Sequence, residues 1–548
     1  MNGRGRAGRD STFTAAGGNL AEAPKLAKIT VDGRVIEAPA GIPLLQAMLD
    51  AELDIPHYCY HPKLTIDGSC RLCQVKIEGM PKLQISCNTQ VRDGLVVSTQ
   101  DPEVALARRG VMELLLLNHP LDCPICDKAG ECWLQNFSMR FGSKISRGLE
   151  PRRKRQKRID IGERMLLDQE RCILCRRCVR FCREVSKTYE LGTFRLGDRT
   201  VLDIYAGRRL DNDYSMCTAD ICPVGALETK DFHHKVRVWF LEEVGSVCSG
   251  CANGCNIHIS TYKNRIWRLT PRRNDAVNET WMCDAGRLTY KAVADPQRLR
   301  IPLVAANGTL APVDWPAAIA AAASAMGDLQ KQHGAAALGA IASPHLSNEE
   351  SYCFGRLLAA LGVEHRAMAV RRGKADDFLI KAEKAANARG VRELGLVRGA
   401  DDGVEELLQA CERGVVRGLY VCGDDLLAAV DRERLARILG GLELLIVQVT
   451  TLEDAFKSAQ VVFPTTMLAE KDGTVTNHAG RVQRIEQAVR PPDGWLTDGA
   501  IFTALLNHLQ SREEKFAVPE IWRALEQDGT AFARIRFAEL GAYGAPLA

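Results

Sequence analysis

The chain has 548 residues and a formal net charge of +4, with 72 Lys and Arg against 68 Asp and Glu. Hydrophobic residues make up 46% and charged residues 26%, which is typical of globular domains and excludes a collagen-like or largely disordered chain. The charge is too small to indicate nucleic-acid binding. The longest apolar runs, such as Val111–Leu117, are too short for a transmembrane helix.

Cysteine is the unusual component, with 20 residues in the chain. Most of them lie between Cys59 and Cys283. The N-terminus carries arginines without an apolar core behind them, so it is not typical of a secretory signal, and residues 1–26 are predicted to be a disordered tail. A cytoplasmic chain cannot keep so many cysteines as disulfides, and metal binding is therefore expected.

Residues 27–107 are predicted to form a first domain. The alternating segment Lys28–Glu37 has Asp32-Gly33 at its centre, which indicates a β-hairpin, and Ile42–Leu53 has helical spacing. Four cysteines follow in the pattern C-x10-C-x2-C-x13-C: Cys59, Cys70, Cys73 and Cys87. Hairpin, helix and loop together predict a β-grasp ferredoxin with a 2Fe–2S cluster, although the first gap is longer than in plant-type ferredoxins. A zinc site with four thiolates is the alternative.

Residues 108–147 are predicted to form a second metal-binding domain that begins with a short helix over Val111–Leu117. The pattern H-x3-C-x2-C-x5-C follows, in His119, Cys123, Cys126 and Cys132. Three thiolates and one imidazole suit zinc or an iron–sulfur cluster. An imidazole in place of a thiolate removes a negative charge and is expected to raise a cluster's reduction potential.

Residues 148–240 open with the basic run Arg152–Arg158, a pattern typical of a solvated linker or of a docking surface for an acidic partner. The spacing of bacterial ferredoxins then follows, C-x2-C-x2-C with a distant C-P. This spacing predicts one 4Fe–4S cluster on Cys172, Cys175, Cys178 and Cys222. Cys182 is a weaker candidate for the fourth ligand, and both Cys182 and Cys217 suit plain buried thiols.

Residues 241–300 carry a further pattern, C-x2-C-x3-C-x27-C, which predicts a 4Fe–4S cluster on Cys248, Cys251, Cys255 and Cys283. Residues 301–548 alternate Ala-rich helices with short apolar strands. Examples of these strands are Ala336–Ile341, Gly418–Cys422 and Leu444–Val449. Such alternation predicts a mainly parallel, doubly wound sheet, and no glycine-rich nucleotide-binding motif accompanies it. The fold class expected is therefore multidomain, α+β and α/β.

The order of these motifs resembles the large iron–sulfur subunit of bacterial respiratory complex I, the NADH:quinone oxidoreductase. The matching N-terminal stretches are Ile55–His61, Gly68–Cys73, His119–Cys132, Arg171–Arg180, Ile221–Leu227 and Cys248–Cys255. Further on, Ser347–Glu350 and Glu470–Gln483 resemble the molybdopterin-oxidoreductase domain that this family carries.

The resemblance implies an electron relay with one 2Fe–2S and three 4Fe–4S clusters. Electrons from a flavin subunit that oxidises NADH would enter at the Cys59 set, pass to the Cys172 set and then to the His119 set, and leave to quinone-side iron–sulfur subunits. The Cys248 set would lie off this path and have a structural role. The chain would then belong to the peripheral arm, on the cytoplasmic face of the bacterial inner membrane.

The sequence also departs from the family pattern. The C-terminal domain looks shortened. The stretch Arg366–Lys374, where active molybdopterin enzymes place a metal-ligating Cys, Ser or selenocysteine, contains none of these, so no molybdenum is expected. Two other functions compete with the relay of complex I: an electron-transfer subunit of a soluble NAD-linked hydrogenase or formate dehydrogenase, and a multi-zinc protein without redox activity.

Overall fold

The computed structural model describes residues 25–195, 197–397 and 400–547. The chain divides into two compact units, Met1–Phe240 and Leu241–Ala548, and each is described by itself. The tail predicted over residues 1–26 lies outside the described residues except for its last two. Leu26 is the first residue of a strand, so the first domain begins slightly before the predicted border.

The first unit consists of short strands and helices joined by long loops. Its strands are β1 Leu26–Val31, β2 Arg34–Pro39, β3 Gln74–Ile77, β4 Gln84–Ile85, β5 Val96–Ser98, β6 Ile159–Asp160, β7 Met165–Leu167, β8 Leu191–Phe194, β9 Val201–Ile204 and β10 Leu227–Thr229. Its α-helices are α1 Leu44–Asp50, α2 Pro102–Leu117, α3 Trp133–Phe141, α4 Arg177–Glu184 and α5 Cys217–Asp220.

The predicted hairpin is confirmed. β1 and β2 are antiparallel with Val31 opposite Arg34, so Asp32 and Gly33 form a two-residue turn with φ of 48° and 82°. Both residues adopt the left-handed conformation that a type I′ turn requires. The five-stranded sheet has the order β2-β1-β5-β3-β4, and α1 packs its apolar side into the same core.

Helix α2 is longer than the predicted segment Val111–Leu117. It begins at Pro102, where the Asp101 side chain accepts a hydrogen bond from the Glu103 backbone N–H. An N-cap followed by proline is a helix start signal that the sequence already contained. The helix therefore crosses the border predicted between residues 107 and 108.

The second unit contains two small antiparallel sheets and a large mixed sheet. Its strands are β11 Glu242–Val247, β12 Asn256–Tyr262, β13 Arg265–Pro271, β14 Leu303–Ala306, β15 Thr309–Pro312, β16 Leu338–Ala342, β17 His365–Met368, β18 Gly418–Cys422, β19 Leu444–Val449, β20 Val461–Pro464, β21 Gly473–Thr476, β22 Arg481–Ile485 and β23 Ala545–Pro546. Its α-helices are α6 Asp284–Arg287, α7 Trp315–His333, α8 Asn348–Ala360, α9 Ala388–Glu393, α10 Val404–Glu412, α11 Leu426–Ala429, α12 Arg432–Gly440, α13 Asp498–Gln510 and α14 Val518–Gln527.

The large sheet has the order β15-β14-β20-β19-β18-β16-β17. Strands β16 to β20 are parallel to one another, and the β14–β15 hairpin joins β20 in antiparallel fashion. Residues of α7, α8 and α13 contribute to one hydrophobic cluster, while those of α10 and α12 contribute to another. This is the doubly wound arrangement that the sequence predicted. Among the described residues, no helix is both long and apolar enough to cross a membrane.

Candidate metal centres

The first candidate set lies in the loops around β3 and β4. Cys59, Cys73 and Cys87 are each 1% exposed, and the Sγ atoms of Cys59 and Cys70 are 3.5 Å apart. Hydrogen bonding with the Cys70 and Cys87 thiols holds the pKa of Cys59 well below its usual range, and hydrogen bonding with Cys87 lowers the pKa of Cys73 to about 7. Because hydrogen bonds link all four thiols, the donor set fits an iron–sulfur cluster or another thiophilic metal.

The loop that carries this set is tightly wound. Gly68 has φ of 66° and Arg71 has φ of 55°, so the chain turns through the left-handed region on both sides of Cys70. The backbone N–H of Tyr58 points at the Cys70 sulfur, at 3.4 Å. Amide N–H groups directed at cysteine sulfurs stabilise the thiolate form that a metal needs.

The second candidate set lines one cavity between α2 and α3. His119, Cys123, Cys126 and Cys132 all border this cavity, and Cys132 directly precedes α3. Burial lowers the pKa of His119 to about 4, so its imidazole is neutral and able to bind metal at neutral pH. Cys126 and Cys132 are buried, whereas Cys123 is exposed.

The third candidate set lines another cavity, at the start of α4. Apolar side chains border this cavity together with the four cysteines, and its lining includes Cys172, Cys175, Cys178, Cys222, Val224 and Leu227. Burial raises the pKa of Cys172 to about 12 and that of Cys175 to about 11. Such thiols bind a metal only by releasing their protons, which couples loading to pH.

The two remaining cysteines of this region do not line the cavity. Cys182 lies on α4 and Cys217 on α5, and both are fully buried, 0% exposed. Burial raises the pKa of Cys182, and the neighbouring Glu190 carboxylate adds to the shift. Both residues thus have the surroundings of plain buried thiols.

The fourth candidate set lies in the second unit, beside the small antiparallel sheet of β11, β12 and β13. Cys248, Cys251, Cys255 and Cys283 are each at most 9% exposed. A Cβ built on Gly286 would lie 2.9 Å from the Cys248 sulfur and 3.3 Å from the Cys283 sulfur, so the backbone here passes directly over both thiols. The Gly286 N–H also donates to the Cys283 sulfur, at 3.3 Å. The set is therefore closely wrapped by backbone, as a cluster requires.

The third set contacts the second set through a short loop. The backbone N–H of Trp133, next to Cys132, donates to the Pro223 carbonyl at 3.0 Å. The Cys132 sulfur lies 3.8 Å from the same oxygen. A Cβ on Gly225 would overlap the Cys126 sulfur, well inside van der Waals contact. The loop after Cys222 therefore packs directly on two cysteines of the second set.

An arginine that the sequence analysis did not single out fixes this loop. Arg171 is 5% exposed and lines the cavity of the second set. Its guanidinium donates to the Gly225 carbonyl at 3.3 Å, to Glu228 at 2.6 Å and to Asp122 at 3.1 Å. Since Asp122 precedes Cys123, Arg171 connects the segment that carries the second set with the loop of the third.

Five family models match successive parts of the chain. The first is the 2Fe-2S iron-sulfur cluster binding domain, over residues 25–102. The NADH-ubiquinone oxidoreductase-G iron-sulfur binding region matches 108–147, and the ferredoxin-like domain of NADH-quinone oxidoreductase subunit 3 matches 162–228. The NDSU1/NuoG-like 4Fe-4S domain of NADH-ubiquinone oxidoreductase matches 241–291, and molybdopterin oxidoreductase matches 298–376 and 381–508.

Curated relatives carry matching names. The G subunit of NADH-quinone oxidoreductase from Rickettsia felis is 37% identical over 61% of this chain and 49% of its own. The mitochondrial 78 kDa subunit of NADH-ubiquinone oxidoreductase from Neurospora crassa is 40% identical over 60% of this chain and 44% of its own, and the G subunit from Streptomyces coelicolor is 38% identical over 58% and 38%. The chain is thus similar to the NuoG subunits of NADH-quinone oxidoreductase. It spans about half or less of the length of these relatives.

The similarity to NuoG accounts for the order of the domains. One 2Fe–2S domain, 4Fe–4S ferredoxin-like domains and a molybdopterin-oxidoreductase-like domain follow one another, which confirms the resemblance seen in the sequence. A chain of an NAD+-reducing [NiFe]-hydrogenase is 33% identical, and the match covers 39% of this chain and 91% of that one. The TM-score of that comparison is 0.34, which is too low to support an argument about shared fold.

The two molybdopterin-like motifs of this NuoG relative meet in a buried polar network. Asn348 donates to the Thr474 hydroxyl at 2.9 Å, and Glu349 accepts from the Thr474 backbone at the same distance. Lys471 forms ion pairs with Glu350 at 2.7 Å and with Asp498 at 2.9 Å, the last residue lying outside both motifs. The side chains of the two motifs thus bind one another.

Proposed function

We propose that the chain relays electrons in a proton-translocating NADH:quinone oxidoreductase, from a flavin subunit that oxidises NADH towards quinone-side iron–sulfur subunits. The observation that carries the proposal is the position of the third set, which contacts the second through the loop after Cys222 and the first through α4. The names of the curated relatives support the same function.

The proposed ligands are those that the spacing predicted. They are Cys59, Cys70, Cys73 and Cys87 for a 2Fe–2S cluster, and, for three 4Fe–4S clusters, His119 with Cys123, Cys126 and Cys132; Cys172, Cys175, Cys178 and Cys222; and Cys248, Cys251, Cys255 and Cys283. When bound, such clusters accept and release single electrons. The protein's contribution is to hold the ligand atoms rigidly and to exclude water, and burial of twelve of these fifteen thiols serves both.

The proposed direction runs from the Cys59 set through the Cys172 set to the His119 set. Cys123 is the exposed ligand of the His119 set, so an electron acceptor can approach this set closely. A neutral imidazole ligand also makes this set less negative, which favours the arrival of an electron there. The exposure of Cys123 and the imidazole ligand therefore both support the His119 set as the site from which electrons leave the first unit.

The second unit is proposed to be a scaffold without molybdenum. Residues 366–374 contain no cysteine or serine to ligate the metal. The polar side chains of the neighbouring motifs, which include Asn348 and Glu349, are occupied by hydrogen bonds to Thr474. The Cys248 set, in the same unit, is proposed to have a structural role. We place the whole chain in the peripheral arm, on the cytoplasmic face of the bacterial inner membrane.

The proposal is tested in the assembled complex with Cys126→Ala. Electron flow from NADH to quinone should be lost, while NADH oxidation by an artificial acceptor that reacts at the flavin persists. Quinone reduction at the wild-type rate would refute the path. Metal analysis of the anaerobically purified chain should give about 14 iron atoms and no molybdenum, since one 2Fe–2S and three 4Fe–4S clusters require that number. Stoichiometric zinc without iron, or stoichiometric molybdenum, would contradict the cofactor assignment.

A further inference from the structure

The side chain of Arg177 joins the backbones of the first and third candidate sets. Arg177 is 2% exposed at the start of α4. Its Nη2 donates to the carbonyl of Tyr60, the residue after Cys59, and its Nη1 donates to the carbonyl of Ile221, the residue before Cys222, at 3.3 Å. One guanidinium group therefore connects ligand-bearing segments of two clusters.

The same guanidinium also contacts the second set. Its central carbon lies 4.6 Å from the centre of the Trp133 ring, which follows Cys132. Stacking of a buried guanidinium on an indole is among the stronger cation–π contacts, since little water competes with it. Arg177 is thus in contact with segments of all three candidate sets of the first unit.

The charge of Arg177 lies close to cysteine sulfurs. Burial lowers the pKa of Arg177, while the sulfurs of Cys175, Cys59 and Cys70 act in the opposite direction. Within the described residues, none of the contacts of its side chain is with a carboxylate, and its Nε–H is buried without a hydrogen-bond acceptor. Arg177 also lines the cavity of the third set. Burying a guanidinium charge costs free energy, and attraction to a neighbouring anionic cluster would offset this cost. The free Nε–H donor could also form a hydrogen bond to such a cluster.

A second arginine supports the first. Arg180, one turn further along α4, donates to the carbonyls of Cys59 and Thr65. Its Nη2 lies 3.5 Å from the Cys175 carbonyl. These contacts dock α4 on the loop of the first set, but those of Arg177 extend to all three sets.

We propose that Arg177 is a positioning residue of the relay, which holds the three clusters of the first unit at fixed separations and raises the reduction potentials of the first and third with its buried positive charge. The role rests on the proposed electron-relay function. Its physical basis is that a fixed cation favours the more negative, reduced state of a neighbouring cluster, and that this effect is large where water is excluded. A single planar group with five donors can make these contacts at once, which a lysine ammonium cannot.

The test uses the full chain, purified anaerobically, with Arg177→Met, Arg177→Lys and the control Arg183→Met. The Arg183 side chain is on the same helix but 51% exposed. Iron content, the midpoint potential of each cluster and the magnetic coupling between reduced clusters are measured by metal analysis and electron paramagnetic resonance. Arg177→Met should keep its iron, lower the potentials of the first and third clusters and alter their coupling. Arg177→Lys should restore the potentials, because it returns the positive charge. It should not restore the magnetic coupling, because an ammonium group cannot make the guanidinium contacts to both Tyr60 and Ile221.

The proposal would be overturned if the midpoint potentials and the magnetic coupling of Arg177→Met equal those of Arg183→Met. If Arg177→Met loses iron, Arg177→Lys provides the test. Unaltered magnetic coupling between the clusters of Arg177→Lys would show that the guanidinium contacts are not needed to position them. These readouts come from the chain alone. An assembled complex that fails to reduce quinone would therefore refute the proposed function, while the role of Arg177 would be judged separately.

Discussion

Gly225 lies directly against the sulfur of Cys126, so that there is no room for a side chain between them. The backbone conformation of Gly225 is not in the left-handed region, so the contact itself, rather than conformational freedom, requires glycine here. This contact joins the loop of the third set to a thiol of the second, and the two neighbouring candidate sets therefore constrain each other's geometry.

We expect Gly225→Ala to disturb the second set. The added methyl group must displace either the Cys126 thiol or the loop after Cys222, and overpacking of this kind costs about 1–3 kcal/mol. Iron analysis should show a loss of up to about four atoms per chain, the content of one 4Fe–4S cluster. Gly110→Ala is the matched control, because a Cβ at Gly110 meets no atom within 4 Å. Equal iron contents in the two variants would contradict the expectation.

Lys471 is expected to be essential to the stability of the second unit. Its ammonium group, with a side chain 2% exposed, pairs with Glu350 and Asp498, both 1% exposed. Lys471→Met would leave two buried carboxylates without their cation, which typically costs about 3–5 kcal/mol. Thermal unfolding of the full chain should show a clearly lowered midpoint. Lys331→Met is the control, since the Lys331 side chain is 80% exposed and a surface pair contributes about 0–1 kcal/mol. A midpoint for Lys471→Met as high as that of the control would refute the assignment.

Glu349 should make the stability of the chain depend on pH. Burial raises its pKa from 4.5 to about 7, although Thr474 donates two hydrogen bonds to the carboxylate. Between pH 4.5 and 7 the folded state holds a proton that the unfolded state releases, so the free energy of unfolding falls as the pH rises, by about 3 kcal/mol in total. Above the folded pKa both states are ionised and the dependence ends.

The measurement is the difference between the unfolding midpoints of wild type and Glu349→Gln, from pH 5 to pH 8. The neutral amide removes the titration, so wild type should lose stability relative to the variant up to about pH 7, where the difference should level off. Effects of pH on the clusters are common to both proteins and cancel. A difference that stays constant, or that grows in favour of wild type, would show that Glu349 is not protonated in the folded state.

Most of the correct predictions came from local patterns in the sequence. The Asp32-Gly33 turn, strand Gly418–Cys422 and strand Leu444–Val449 follow from turn chemistry and from continuous apolar runs, and the structure has them at the predicted residues. Cysteine spacing gave the proposed members of each metal set, because a metal site imposes short, regular gaps, and this assignment of ligands stays a prediction. The apolar run alone does not predict the early start of α2, which the Asp101 cap determines.

The contacts between the sets could not be predicted in the same way. Arg177 and Tyr60 are 117 residues apart, and no local pattern distinguishes Arg177 from the other arginines of α4. Gly225 lies in a loop whose close approach to Cys126 depends on how two domains pack. Spacing is therefore enough to propose the members of each set, while the contacts that position one set against another are tertiary and required the structure.

The fourth ligand of the third set is the assignment most open to direct test. Three cysteines could complete that set after Cys178, namely Cys182, Cys217 and Cys222, but of these only Cys222 lines the cavity. We expect Cys222→Ser to lower the iron content by up to about four atoms per chain, because a serine hydroxyl is a poor substitute for a thiolate on iron. Cys182→Ser and Cys217→Ser are matched controls at buried positions of the same unit and should keep their iron. Loss of a cluster in Cys182→Ser with retention in Cys222→Ser would transfer the ligand role to Cys182, and the loop from Cys222 to Gly225 would then contact the second set without carrying a ligand of the third.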